Sequence, residues 1–114
     1  MNKLIIYKIK SLDEIKEKKT KAIINDNFIS YFEDDIKIKF DYKTNIITRD
    51  NKDLFLKYDF NKEKASIKDK ELNKRFYPKI KVLEKNIEDH NIYIKFSVEG
   101  IEIEYEVEVI KWII

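Results

Sequence analysis

The segment that most constrains the fold is the carboxyl-terminal run GIEIEYEVEVIKW, in which apolar and acidic residues alternate. From Ile101 to Val109 every odd position is apolar, and the four even positions between them are glutamates. Because successive strand residues point to opposite faces, this period of two predicts a β-strand with one buried and one wet face. A two-residue turn at Glu99–Gly100 would place this strand against the alternating run Ile92 to Val98.

That hairpin has one register in which the apolar face stays continuous. The register predicts the apolar pairs Val98–Ile101, Phe96–Ile103, Ile94–Tyr105 and Ile92–Val107, and it sets Lys95 opposite Glu104. If the sheet closes, the first strand becomes the last strand's other neighbour, and one or more of its lysines join the glutamate row; the candidates are Lys3, Lys8 and Lys10. We interpret the glutamates as a solvated face that opposes edge-to-edge pairing. A catalytic pair would need carboxylates in different environments, which neighbouring positions on one strand face do not provide.

The same alternation recurs along the chain and predicts an all-β protein. It is strict in IKIKF (36–40) and IYIKFSV (92–98) and weaker in FISYFE, LFLKYDF and KIKVLE. Short Asn- and Asp-containing segments separate these runs, and hairpin-length connections imply antiparallel neighbours. We predict a single meander closed into a β-barrel of about eight to ten strands. For SLDEIKEKKTK (11–21) we expect at most one turn of helix, or a loop running into a strand near residues 18–25.

Composition excludes several classes of function. A chain of 114 residues predicts a single domain over 1–114, and the absence of cysteine removes disulfides, thiolate metal sites and cysteine nucleophiles. A single glycine, Gly100, excludes glycine-rich phosphate loops and leaves the turns to Asn and Asp. No signal-peptide or membrane-length apolar run occurs, so we expect a cytoplasmic protein that does not enter a membrane.

No catalytic constellation is visible, and we expect neither a cofactor nor a metal. His90 is the one histidine, and a hairpin-tip histidine flanked by Glu88 and Asp89 gives no set of metal ligands. No serine is flanked by the glycines of a nucleophile elbow. We therefore favour a non-enzyme.

A basic stretch at 68–81 suggests an interaction module for nucleic acid or protein as an alternative function. Basic and aromatic side chains that could hold phosphates and stack bases are interleaved in it: Lys74, Arg75, Phe76, Tyr77 and Lys79. However, Asp69 and Glu71 interrupt the stretch, and the formal net charge of the chain is only +2. Nucleic acid is therefore the less favoured partner.

The leading hypothesis is a small apolar or amphipathic ligand inside the barrel. A barrel of this size either fills its interior with side chains or holds one small ligand. Large side chains at inward positions are the candidate lumen residues, with Phe28 and Tyr31 as alternatives on one strand: Phe28, Tyr31, Phe40, Leu56, Phe60, Phe96 and Tyr105.

The order of motifs resembles that of the YwiB-like family of uncharacterised bacterial proteins. The resemblance is carried by NDNFISYFEDDIKIKFDYKTNIITRDN, by NKRFYPKIKVLEKNI and by the closing hairpin HNIYIKFSVEGIEIEYEVEV. The chain departs from the family in lacking the glycines that the family uses at its turns. The resemblance implies a calycin-type (lipocalin-like) closed barrel and a small hydrophobic ligand in its lumen. It implies no catalytic or cofactor residue at any position.

Overall fold

The computed structural model describes the backbone of residues 2–112 and the side chains of residues 2–110, and every regular element in that range is a β-strand. The strands are β1 (Asn2–Ser11), β2 (Glu14–Ile24), β3 (Phe28–Glu33), β4 (Ile36–Asp41), β5 (Ile46–Asp50), β6 (Leu54–Asp59), β7 (Lys64–Asp69), β8 (Lys74–Phe76), β9 (Ile80–Glu88), β10 (Asn91–Val98) and β11 (Ile101–Trp112). Within residues 2–112 no helix occurs that could cross a lipid bilayer.

All eleven strands form one antiparallel sheet that curls into a half-barrel. Their order is β8-β7-β6-β5-β4-β3-β2-β1-β11-β10-β9, so the first and last strands are neighbours and β8 and β9 are the edges. A single bridge, Lys64 to Lys79, links the two ends of the sheet. Next to it the backbone N–H of Val82 donates to Glu63 Oε2 at 3.0 Å. The carboxylate thus satisfies an edge donor that would otherwise be open to another chain.

The hydrophobic core lies on the inner face of the sheet. Buried positions alternate along the strands, as in Ile5 and Tyr7 on β1 and Ile92, Ile94 and Phe96 on β10. Burial of each such side chain stabilises the fold by about 1.5–3 kcal/mol before conformational entropy is subtracted. The inner row across five strands is Ile38, Arg49, Leu56, Ile67 and Phe76, and it runs from the buried Ile38 to the edge strand β8, where Phe76 is 52% exposed.

Asn and Asp build the longer turns, as the shortage of glycine predicts. At five hairpins an Asn or Asp side chain at the end of the first strand caps the turn. Its side-chain oxygen accepts hydrogen bonds from the backbone N–H groups two and three residues later in the chain, at 2.8–3.1 Å. The five acceptors are Asn25, Asp41, Asn51, Asp59 and Asp69. Four further hairpins have two-residue turns at 12–13, 34–35, 89–90 and 99–100.

The predicted β10–β11 register is confirmed at every pair, including Lys95 opposite Glu104. Glu99 and Gly100 both have positive φ, at 49° and 83°, as a tight hairpin turn with right-handed strand twist requires. On the other side of β11, Lys8 lies opposite Glu106 and Lys10 opposite Glu104, whereas Lys3 is buried and does not join this row. The glutamate row is therefore half-buried to exposed and faced by lysines.

Two sequence predictions about the strands are wrong. The sheet has eleven strands rather than eight to ten, because short strands such as β8 count separately. Residues 11–21 form neither a helical turn nor a long loop: β2 begins at Glu14, directly after a two-residue turn at Leu12–Asp13. Full closure was also predicted, and the observed curvature is that of a half-barrel with β8 and β9 at its edges.

Candidate ligand-binding cavity

A cavity of about 530 Å³ lies against the inner face of the half-barrel. Side chains from β1, β2, β3, β5, β6, β10 and β11 line it. Its apolar wall includes Ile47, Leu56, Tyr58, Phe60, Phe96 and Tyr105, and its polar part comprises Ser11, Glu14, Lys16, Glu33 and Arg49. This volume falls in the range of small-molecule sites, which are mostly apolar with a few placed polar groups.

Three aromatic rings form one side of the wall. Phe60 and Phe96 meet edge to face with ring centroids 4.9 Å apart, and Tyr58 lies 5.6 Å from Phe96 and 6.3 Å from Phe60. All three are at most 8% exposed, so they are fixed by the core behind them. Aromatic packing of this kind gives a rigid apolar surface.

A buried ion cluster forms the polar side of the cavity. Glu33 is 4% exposed, and its Oε2 accepts a hydrogen bond from Arg49 Nη1 at 2.9 Å. Its Oε1 accepts a hydrogen bond from Lys16 Nζ at 3.3 Å, and the same ammonium donates to Asp34 Oδ2 at 2.7 Å. A buried carboxylate requires such partners, since removing one would leave an uncompensated charge in a poorly solvated site.

A pair of tyrosine hydroxyls lies beside this cluster. The phenol oxygens of Tyr31 and Tyr105 are 2.5 Å apart and bond to each other. Tyr105 lines the cavity, while Tyr31 lies behind it and stacks on Tyr7. Burial raises the pKa of both phenols, so both hydroxyls are protonated at neutral pH.

Comparison with known proteins gives no match: no protein-family model, no curated protein and no solved structure matches this chain. The chemistry of the cavity is therefore the basis for assigning a function. That chemistry combines a rigid aromatic and aliphatic wall with a cluster of charged groups at one side.

The structure brings four of the seven predicted lumen residues to the cavity: Leu56, Phe60, Phe96 and Tyr105. Tyr31 contacts it only through Tyr105, and Phe40 is fully buried in the core beside Tyr42. Of the alternatives Phe28 and Tyr31, the inward residue is Tyr31. Successive strand residues point to opposite faces, so Phe28, three positions away, faces outward. Phe28 lies on the outer face, where Lys39 Nζ sits 4.6 Å from its ring centroid.

The predicted nucleic-acid residues lie together at the edge of the sheet and away from the cavity wall. Lys74, Arg75 and Phe76 form the edge strand β8, and Tyr77 and Lys79 follow it. All five are exposed, with Phe76 at 52% and Tyr77 at 72%. Phe76 belongs to the inner row next to Ile67, whereas the alternate residue Arg75 faces outward opposite Lys68.

His90 occupies the tip of the β9–β10 hairpin. Its ring lies 5.3 Å from that of Tyr42, and its carbonyl oxygen accepts a hydrogen bond from the Tyr42 hydroxyl at 2.9 Å. Across the residues that the structure describes, no three His, Asp or Glu side chains group as metal ligands. These contacts explain His90 as a packing residue of this hairpin.

Sequence reasoning missed the ion cluster of Lys16, Glu33 and Arg49. A signal was present, because Glu33 continues the inward positions Ile29 and Tyr31 on β3, and Arg49 follows the inward Ile47 on β5. A charged residue at an inward position of an alternating strand indicates a buried pair or a site. Lys16 gave no such signal, since its segment was not recognised as a strand.

Proposed function

We propose that this protein binds a small apolar or amphipathic ligand in the cavity and catalyses no reaction. The observation that carries the proposal is a cavity of about 530 Å³ walled by buried aromatic rings on the inner face of the sheet. The apolar wall that faces this open space lacks packing partners in the free protein. A ligand that buries its apolar surface there supplies them.

Calycin-type architecture belongs to the same proposal. An antiparallel meander, pairing of the first and last strands and an aromatic cavity on the inner face support a lipocalin-like barrel related to the YwiB-like family. In this proposal the barrel would close by pairing along the gap between the edge strands β8 and β9. The Lys64–Lys79 bridge would be part of that pairing.

The experiment is a calorimetric titration with decan-1-ol, a neutral amphipathic probe kept below its solubility limit. We expect saturable one-to-one binding to the wild-type chain and loss of affinity by about tenfold or more in Leu56→Trp, because the added indole occupies the cavity. Leu56 is half-buried at the wall, so the fold has room to accept the change on the cavity side.

The matched control is Ile23→Trp, the same kind of enlargement on the outer face of β2, where Ile23 is 50% exposed. This variant should bind decan-1-ol like the wild type. Absence of binding to the wild type, or equal loss in both variants, would contradict a ligand site in the cavity.

A second candidate function is binding of single-stranded nucleic acid by the edge strand β8. The favouring observation is that Lys74, Arg75, Phe76, Tyr77 and Lys79 are all exposed side by side. Titration with a labelled oligonucleotide over a salt series tests it, because phosphate-driven binding weakens steeply with salt. No binding at low salt would remove this candidate.

A further inference from the structure

We infer that the cavity selects ligands with a single carboxylate group, held by Arg49 and the Tyr105 hydroxyl; this inference rests on the proposed ligand-binding function. The observations behind it are hydrogen-bond donors at the cavity that the described residues leave without acceptors.

The first unused donors are on Arg49. A guanidinium carries five N–H donors, and the described residues give Arg49 one hydrogen bond, from Nη1 to Glu33. Arg49 lines the cavity and its side chain is 21% exposed. The remaining donors are therefore left for a ligand, in a cavity whose polar side also includes Ser11, Glu14, Lys16 and Glu33 and whose remaining wall is apolar. An anionic acceptor there gains a charge-assisted hydrogen bond.

The second unused donor belongs to the tyrosine pair. Two protonated phenols bring two hydrogens to the Tyr31–Tyr105 contact, and their mutual bond uses one. No other hydrogen bond is made by either hydroxyl within the described residues, so one hydrogen is left over. Tyr105 is the member of the pair that lines the cavity, so it can turn this hydrogen towards a ligand while accepting from Tyr31.

Charge at the cluster favours a monoanion. Arg49 and Lys16 bring two positive charges to Glu33, whose two oxygens are both occupied by them. Outside them, Asp34 pairs with Lys16 and Lys18, and it is more than half exposed. Lys16 and Arg49 exceed Glu33 by one positive charge. Lys18 and Asp34 cancel each other, so this surplus within the ion cluster is unchanged by them.

One ligand carboxylate would neutralise that surplus. Glu14 also lines the cavity and brings the sum over the four charged lining residues to zero, but it is an exposed residue at the start of β2, where solvent screens its charge. The ligand class is therefore a monocarboxylic acid with an apolar tail, and the tail lies against the Phe60 and Phe96 rings.

The test compares decanoic acid with decan-1-ol by calorimetry near neutral pH, because the two probes share the same chain. We expect the acid to bind about tenfold more tightly or better, the size of one charge-assisted hydrogen bond. Equal affinities would overturn the carboxylate inference and leave the proposed function standing. Failure of both probes to bind would overturn both.

Two single-oxygen deletions locate the site. Tyr105→Phe and Tyr31→Phe each remove one hydroxyl and break the same hydrogen bond, but only Tyr105 lines the cavity. We expect Tyr105→Phe to weaken acid binding several-fold and Tyr31→Phe to leave it within about twofold. Equal effects of the two variants would contradict the role assigned to Tyr105.

Removal of the guanidinium tests the charge. Arg49→Gln should reduce the ratio of acid to alcohol affinity to about one, with circular dichroism and alcohol binding as checks that the fold is intact. A ratio unchanged from the wild type would exclude Arg49 as the anchor. Because the tyrosine variants keep the Glu33 ion pairs, they decide the inference even if Arg49→Gln does not fold.

Discussion

At the residue scale, the turns show how a chain with one glycine satisfies backbone geometry. Among residues 2–112, eight non-glycine residues have positive φ, and four of them are Asn or Asp, which tolerate the left-handed region best. Leu12 also adopts the left-handed conformation, with φ at 54°, although leucine does not favour it and the side chain is 73% exposed. The left-handed conformation costs a leucine free energy that no burial returns at this position.

Replacing Leu12 by Asn should therefore stabilise the protein by about 0.5–1 kcal/mol, measured by urea denaturation. The control is Leu72→Asn, which removes a leucine that is 60% exposed in another turn, at a residue without positive φ. That variant should leave the free energy of unfolding nearly unchanged. A similar gain from both substitutions would show that exposure, and not backbone conformation, is responsible.

At the element scale, the position of β11 between its two neighbours β10 and β1 could be predicted from its sequence. Strict alternation and the single Gly100 specify one register with β10, and a one-residue slip would turn every glutamate inward. The opposite case is β2. Its inward positions near Glu14 are polar because Lys16 faces the Glu33 cluster, so no apolar period marks the strand. The sequence did not predict β2 as a strand there, because strands are recognised by alternating apolar residues and these inward positions are polar.

The pairing of β1 with β11 makes a measurable electrostatic prediction. Lys10 lies opposite Glu104, and a double-mutant cycle with Lys10→Ala and Glu104→Ala should give a coupling energy of about 0.5 kcal/mol at low salt. The coupling should shrink at high salt, because the pair is on the solvated face.

The control cycle couples Lys10 with Glu108, which lies opposite Ile6 instead. It should give a coupling energy near zero. A larger coupling for Lys10 with Glu108 than with Glu104 would contradict the register.

At the scale of the whole molecule, the sequence predicts the all-β class and most of the aromatic wall, because both follow from the period of two. It does not predict how charged residues from β2, β3 and β5 converge. Glu33, Arg49 and Lys16 meet only because β2, β3 and β5 curve round the same end of the cavity. The number of strands and the extent of closure likewise depend on twist accumulated over the whole sheet.

The central claim is that the cavity on the inner face receives a ligand. Its most direct test is a titration of the ¹⁵N-labelled protein with decan-1-ol, followed by amide chemical shifts. We predict saturable changes at Ile47, Leu56, Phe96 and Tyr105, with little change at Phe32, Arg75 and Tyr77 on the outer face and edge. Changes confined to β8, or no saturable change at any residue of the cavity wall, would contradict the claim.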